Sequence, residues 1–254
     1  MAAIPLIRIN PQASPRCEQI TDNEFCVIVD DFLQDPDMLV GYASEHRDDF
    51  SHPNIGYPGV QIRVNDDAMT DIFRFVRSRM SKLYAFMRGR IGIRSLLSMA
   101  TSPPSNLSFM QRICHVDPNP DPGRAKYAAL VYLFNDEQLG GTSFYRWRNE
   151  ELVWKGVNML RADAAKGEEF LKQHFETFRE PPRYMNESNE IAELLYTVPA
   201  RFNRFVFYSG DIPHTGAITA PDLLSDDPER GRLTLNLFFS VLPKGDLSGE
   251  VPHR

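Results

Sequence analysis

Between Arg232 and Val241 the chain alternates with a period of two. Arg232, Thr234, Asn236 and Ser240 stand at even positions, and Leu233, Leu235, Leu237, Phe239 and Val241 at odd ones. Successive side chains of a strand point to opposite faces, so this run predicts a β-strand with one apolar face and one hydrogen-bonding face. If the polar face meets water, Arg232 is ordinary. If it looks into a barrel, the arginine needs an anionic partner, because an isolated buried charge is very costly. A carboxylate held bidentately by the guanidinium meets that need.

Other segments supply strands and turns to go with it. Leu107 to His115 carries aromatic and branched residues without a helical stripe and runs into the breaker cluster Pro118-Asn119-Pro120-Asp121-Pro122-Gly123, so it reads as a strand entering a loop. On such a strand His115 and Asp117 share a face while Cys114 and Val116 point away. Arg204 to Tyr208 reads as a further strand, followed by a turn, Ser209 to Pro213, and then His214. Tyr127 to Asn135 is a third strand, and Gly140-Gly141 a turn, since paired glycines accept positive φ. Two imidazoles and one carboxylate are the ligand set of a facial-triad iron site, which leaves three octahedral positions open for chemistry.

The order His115-Val116-Asp117, then His214, then Arg232-Leu233-Thr234 resembles the Fe(II)/2-oxoglutarate-dependent oxygenases, particularly their prolyl-hydroxylase-like branch. The resemblance implies a mainly β chain with flanking helices (α+β), built on a double-stranded β-helix, or cupin-like jelly roll. It implies Fe(II) held by His115, Asp117 and His214. It implies 2-oxoglutarate chelated through its keto oxygen and C1 carboxylate, its distal carboxylate on Arg232, with Thr234 as a hydroxyl donor and Tyr127 nearby. A core aromatic is the alternative reading of Tyr127. The implied reaction consumes O2, converts 2-oxoglutarate to succinate and CO2, and hydroxylates a C–H bond of a small molecule, amino acid or peptide. A carboxylate at Asp117 argues against the halogenating variant of this chemistry. Leu139-Gly140-Gly141-Thr142 resembles the family's Gly-Gly hairpin, but Thr142 follows the glycines where an acidic residue often stands, which leaves the substrate side open.

The histidines are 214 − 115 = 99 positions apart, and an insert from about 147 to 193 accounts for the length. Within it, Ala162 to Phe178 predicts one helix whose apolar face holds Phe170, Leu171, Phe175 and Phe178, with His174 structural. Upstream, Phe25 to Val29 predicts a buried strand, and Asp35-Pro36 the start of a helix through about His46. Arg74, Arg77, Arg79, Lys82, Arg88, Arg90 and Arg94 interleave with Ile72, Phe73, Val76, Met80, Leu83, Tyr84 and Met87, as on the solvated face of an amphipathic helix.

At 254 residues and 42% hydrophobic content the chain can bury a full core. We expect one oxygenase domain over 1–254, with a mixed strand and helix support region at 1–100 and the jelly roll at 101–245. A net charge of −6 disfavours a nucleic-acid partner. Cys17, Cys26 and Cys114 have neither metal-finger spacing nor an even count, which fits a reducing compartment. No cationic leader opens the chain and no apolar run would span a bilayer, so the expected location is the cytoplasm, without a membrane. The rival reading is a non-catalytic jelly-roll protein that binds a metal or ligand.

Overall fold

The computed structural model describes residues 4, 6–53, 56–84, 89–118 and 123–242. Residues 119–122 of the expected breaker cluster, Met87 and Arg88 of the amphipathic pattern, residues 243–245 of the expected jelly roll, and residues 1–3 and 5 of the leader reading lie outside them.

Among the described residues ten strands form two antiparallel sheets. The larger has the order β1 (Arg16–Gln19), β2 (Phe25–Val29), β8 (Phe205–Ser209), β5 (Ala125–Tyr132), β10 (Arg232–Leu242), β4 (Arg90–Ala100) and β3 (Gly59–Arg63). The smaller has the order β7 (Ala192–Val198), β6 (Thr142–Trp147) and β9 (His214–Gly216). An isolated bridge between His115 and His214 adds the segment around 115 to the free edge of β9. From β4 onward the chain therefore alternates between the sheets, except at β6 and β7, which are neighbours in the small one.

The alternating run predicted for 232–241 is the long central strand β10, paired with β4 on one side and β5 on the other. Its odd residues, Leu233 to Val241, belong to a core that also holds Leu39 and Ala43 of α1 (Asp37–Glu45) and Ile72 and Val76 of α2 (Thr70–Arg79). The even face looks toward the small sheet. Arg232 and Thr234 are buried there, Asn236 and Ser240 are half-buried, and Phe238 packs on the second core with Leu130, Tyr132, Phe144 and Val206. The order through the molecule is helices, large sheet, small sheet, then a second pair of helices. That pair comes from the insert between β6 and β7, where α3 (Glu150–Ala162) and α4 (Ala164–His174) pack with Ile113, Cys114, Tyr145, Ile191 and Ala192 in a third core.

Four local expectations need correction. Leu107–His115 is not a strand, because Phe109–Arg112 winds into a 3-10 turn under a reciprocal capping box between Ser108 and Gln111. The helix expected over 162–178 is two helices, broken at Asp163, whose extended backbone and carboxylate cap α4 by accepting from Lys166 N at 3.2 Å. Arg90 and Arg94 lie on β4, beyond the helix that ends at Arg79. Gly140-Gly141 is not a hairpin turn, since β5 and β6 lie in different sheets. The pair instead makes a crossover so tight that a Cβ on Gly140, at φ +81°, would lie 1.7 Å from Ala217 O.

Candidate metal centre

Three short stretches of backbone place the triad. His115 N donates to His214 O at 3.0 Å and His214 N to His115 O at 2.8 Å, so the two histidines exchange a closed pair of hydrogen bonds. Two residues on, Asp117 N donates to Gly210 O at 2.9 Å, and Gly210 N donates to Lys126 O at 3.0 Å. The extended stretch 115–117 thus lies against the turn between β8 and β9, and its alternation turns His115 and Asp117 to one side, as the sequence predicted for a strand. A Cβ on Gly210 would stand 2.7 Å from Asp117 Oδ2, which leaves glycine as the residue that fits under this carboxylate. Lys126 Nζ donates to the Asp117 carbonyl and pairs with Asp211 Oδ1 at 3.1 Å, tying β5 to the same turn.

One ligand atom from each of His115, Asp117 and His214 lies within 4.8 Å of the other two. His214 Nε2 is 3.8 Å from Asp117 Oδ1, and the two imidazole centroids are 4.6 Å apart. His214 Nδ1 sits 2.8 Å from Ile212 O, an acceptor without a proton, so Nδ1 is assigned the hydrogen and Nε2 keeps its lone pair for a cation. Asp117 and His214 are buried, while His115 keeps an exposed edge.

Electrostatics favour an added positive charge. Desolvation pushes the Asp117 carboxyl up to about 6, against the opposing pull of His115 and Lys126, and Asp117 Oδ2 has no hydrogen-bond partner among the described residues. Desolvation likewise presses both imidazoles down to about 4, with His214 adding to the effect on His115 and Asp117 opposing it. His115 is exposed at its surface yet closely surrounded by protein; the direction of its shift agrees with the burial of its two partners. Two neutral imidazoles and an underbonded buried carboxylate are a donor set that fits a divalent transition metal.

Arg232, 5% exposed, lies against the same strand β9: a Cβ on Gly216, two residues after His214, would stand 3.4 Å from its Nη2. Its Nε donates to the carbonyls of Leu139 at 3.0 Å and Gly140 at 3.2 Å, and its Nη2 to Gly141 O at 2.6 Å. All these acceptors are neutral, and among the described residues no carboxylate pairs with it. The crossover glycines are thus what anchor it. Thr234 lies two residues on, on the same face, with its hydroxyl 3.3 Å from Ser98 O. The site-facing tyrosine of β5 is Tyr132, opposite Thr234 and hydrogen-bonded to the Thr142 hydroxyl at 2.8 Å. Tyr127 does not join them. Five residues away it falls on the other face of the strand, stacked on Phe207 at 5.5 Å in the core under α1 and α2.

Sequence reasoning gave no role to Lys126 or Tyr132, and it reaches Tyr57 only as part of a loop, His52 to Gly59, that could face substrate. Burial raises the Tyr57 hydroxyl to about 12, with Arg232 and Thr234 close enough to oppose the shift, yet its Oη meets hydrogen-bond geometry with no described residue. Only alternation along β5 carried a signal, because Tyr127 and Tyr132 must face opposite ways. His174 is exposed, its Nδ1 2.7 Å from Phe170 O, and stays apart from the metal centre as expected.

The chain belongs to a family described as "Family of unknown function (DUF6445)", whose model matches residues 11–239. No curated protein matches it. Among solved structures it is similar to SnoN, a non-heme alpha-ketoglutarate-dependent epimerase from nogalamycin biosynthesis, at 11% identity over 93% of this chain and 85% of that one, with a TM-score of 0.41. HygX from Streptomyces hygroscopicus, with nickel and 2-oxoglutarate bound, is similar at 13% identity over 87% and 83%, with a TM-score of 0.43. The Kdo hydroxylase KdoO, a non-heme Fe(II) alpha-ketoglutarate-dependent dioxygenase, is similar at 14% identity over 69% and 61%, with a TM-score of 0.32.

Proposed function

We propose that this protein is an Fe(II)- and 2-oxoglutarate-dependent dioxygenase that hydroxylates a C–H bond of a small molecule, amino acid or peptide. The observation that carries the reading is a His-Asp-His cluster with ligand atoms within 4.8 Å and, beside the strand that carries His214, a buried arginine that pairs with no described carboxylate. We read the fold as a double-stranded β-helix in a single domain. The order β4-β10-β5-β8 in one sheet, and the 115 segment, β9, β6 and β7 in the other, supports that reading.

In this reading His115, Asp117 and His214 hold the iron, and the bound iron and 2-oxoglutarate supply oxidative chemistry with O2, releasing succinate and CO2. Arg232 binds the distal carboxylate, with Thr234 and the unpartnered Tyr57 hydroxyl as further donors. Its three carbonyl contacts fix the guanidinium before the anion arrives, so little ordering remains to be done on binding. The Ile212 carbonyl holds the His214 tautomer, and Gly210 and Lys126 hold the Asp117 main chain. Phe144 and Tyr208, with ring centroids 6.5 and 4.8 Å from that of His214, give this imidazole an apolar flank.

Anaerobic titration of metal-free protein with Fe(II) and 2-oxoglutarate tests the reading through the visible charge-transfer band of the chelate. The wild-type protein should develop the band, and Arg232→Ala should require at least tenfold more 2-oxoglutarate to reach it. Folded protein that binds iron without the band would refute the cosubstrate. A band that never leads to succinate in air would leave a metal- and ligand-binding protein.

A further inference from the structure

The face of the large sheet that carries Arg232 and Thr234 continues past the metal centre to the other end of β10. Residues paired across antiparallel strands share a face, so the register sets Arg94 beside Phe238 on this side, with Gly92, Ser240 and Lys126 in the next row. Lys126 reaches the triad, since its Nζ donates to the Asp117 carbonyl. Toward Arg232 the face is closed, with Leu96, Leu130 and Thr234 buried. Here it is open: Arg94 and Gly92 are exposed, Phe238, Ser240 and Lys126 are half-buried, and His115 beyond them is exposed again. An accessible strip two strand spacings wide, about 10 Å, thus runs from Arg94 to the strand that touches Asp117.

The charges along the strip are unevenly matched. Lys126 is answered by Asp211 at 3.1 Å, and Arg63, on the neighbouring β3, by Asp66 at 3.2 Å. Arg90 and Arg94 pair with no carboxylate among the described residues. They stand four residues apart on β4, so their side chains leave the same face. Between them Gly92 leaves a notch, because a Cβ there would meet nothing nearer than Ser240 O at 3.9 Å. Two guanidiniums flanking an open notch suit one anionic group, a carboxylate or a phosphate, which each can grip through paired N–H donors. From the notch toward Lys126 the surface is the Phe238 ring, packed from below by the second core and open above, with the Ser240 hydroxyl beside it. An apolar group laid on that ring removes both surfaces from water.

We propose that this strip binds an acid with an apolar body: its anionic group lies in the Gly92 notch between Arg90 and Arg94, and its apolar body crosses Phe238 toward the metal centre. That the acid is the substrate of the metal centre rests on the dioxygenase reading above; that it binds here does not.

The probes are octanoate and its neutral counterpart octanamide, titrated into the metal-free protein by calorimetry at low ionic strength. Octanoate should bind saturably and at least about fivefold more tightly than octanamide. Arg94→Gln, at an exposed position, should reduce that preference, and Arg90→Gln with Arg94→Gln should remove it. Phe238→Ser should weaken both probes alike, and Arg232→Ala should leave the preference intact. No saturable binding of octanoate, or equal binding of the two probes, overturns the proposal. So does a preference that survives the double substitution, or one lost in Arg232→Ala, which would put the carboxylate beside Gly216 instead. Direction is read from the broadening of octanoate proton signals on Mn(II)-loaded protein. The terminal methyl should broaden more than the methylene next to the carboxylate, and the reverse order overturns the proposed orientation. Because the titration uses neither iron nor 2-oxoglutarate, its failure is distinct from a missing charge-transfer band.

Discussion

Asp117 is held by its neighbours through its main chain, while one of its carboxylate oxygens has no partner among the described residues. Its amide donates to Gly210, its carbonyl accepts from Lys126, and Lys126 is in turn neutralised by Asp211. Outer groups of this kind typically contribute about 10–100-fold to metal affinity. Lys126→Met should therefore weaken binding of Co(II) by about that factor and alter its visible bands. Lys126→Arg should recover much of the loss, and an unchanged Co(II) titration in the methionine variant would show that Lys126 plays no positioning part. Gly210→Ala should act through contact alone, by driving a methyl against Asp117 Oδ2, and should lower metal affinity more than it lowers the melting temperature.

At the scale of elements, β10 carries most of the architecture, pairing along its whole length with β4 and over eight residues with β5. Leu235→Ala removes a fully buried side chain from the core beneath α1 and α2, and should cost about 2–5 kcal/mol in denaturant unfolding. Asp163→Ala removes the cap of α4 and should lower the urea midpoint less than Leu235→Ala does. Strong alternation made β10 legible in the sequence, and continuous branched runs did the same for β2 and β8. The triad was legible too, because i and i+2 share a side in any extended backbone, whether or not a strand surrounds it. The turn at Phe109–Arg112 was hidden because its apolar residues satisfy no helical period, and its only signal was the short Ser108-to-Gln111 box. Tyr127 was misplaced because alternation separates two faces without saying which looks inward. The nearness of Tyr57 to Arg232 depends on segments far apart in the chain, and no local pattern announces it.

Across the whole molecule, Asp30 on the loop after β2 joins the far edge of the large sheet to the start of β8. It accepts from Arg204 Nε at 2.5 Å and from Arg16 Nη1 at 2.8 Å. The hydrogen bond from Arg204 is the main cause that lowers its pKa below the ordinary carboxylate range, with burial opposing. A carboxyl with a depressed folded-state pKa adds stability that is present above its unfolded value and is lost as pH falls through the folded one. The stability difference between wild type and Asp30→Asn should thus be largest near neutrality and shrink as the pH falls below about 4, measured by urea unfolding at several pH values. A difference that stayed constant with pH would refute the link. Among the described residues no helix is long and apolar enough to cross a membrane.

The insert enters after Trp147 and returns at Ala192, and these two residues are paired across adjacent strands. Its two ends are therefore only about 5 Å apart, one strand spacing. A segment hung from so narrow a doorway can be lengthened, shortened or exchanged without moving the sheets, because closing the gap needs no more than a short turn. The segment between these two residues supplies none of the triad and not Arg232. The insert and the cluster are thus physically separable: grafting a different insert between Trp147 and Ala192 should leave the His115, Asp117 and His214 geometry unchanged.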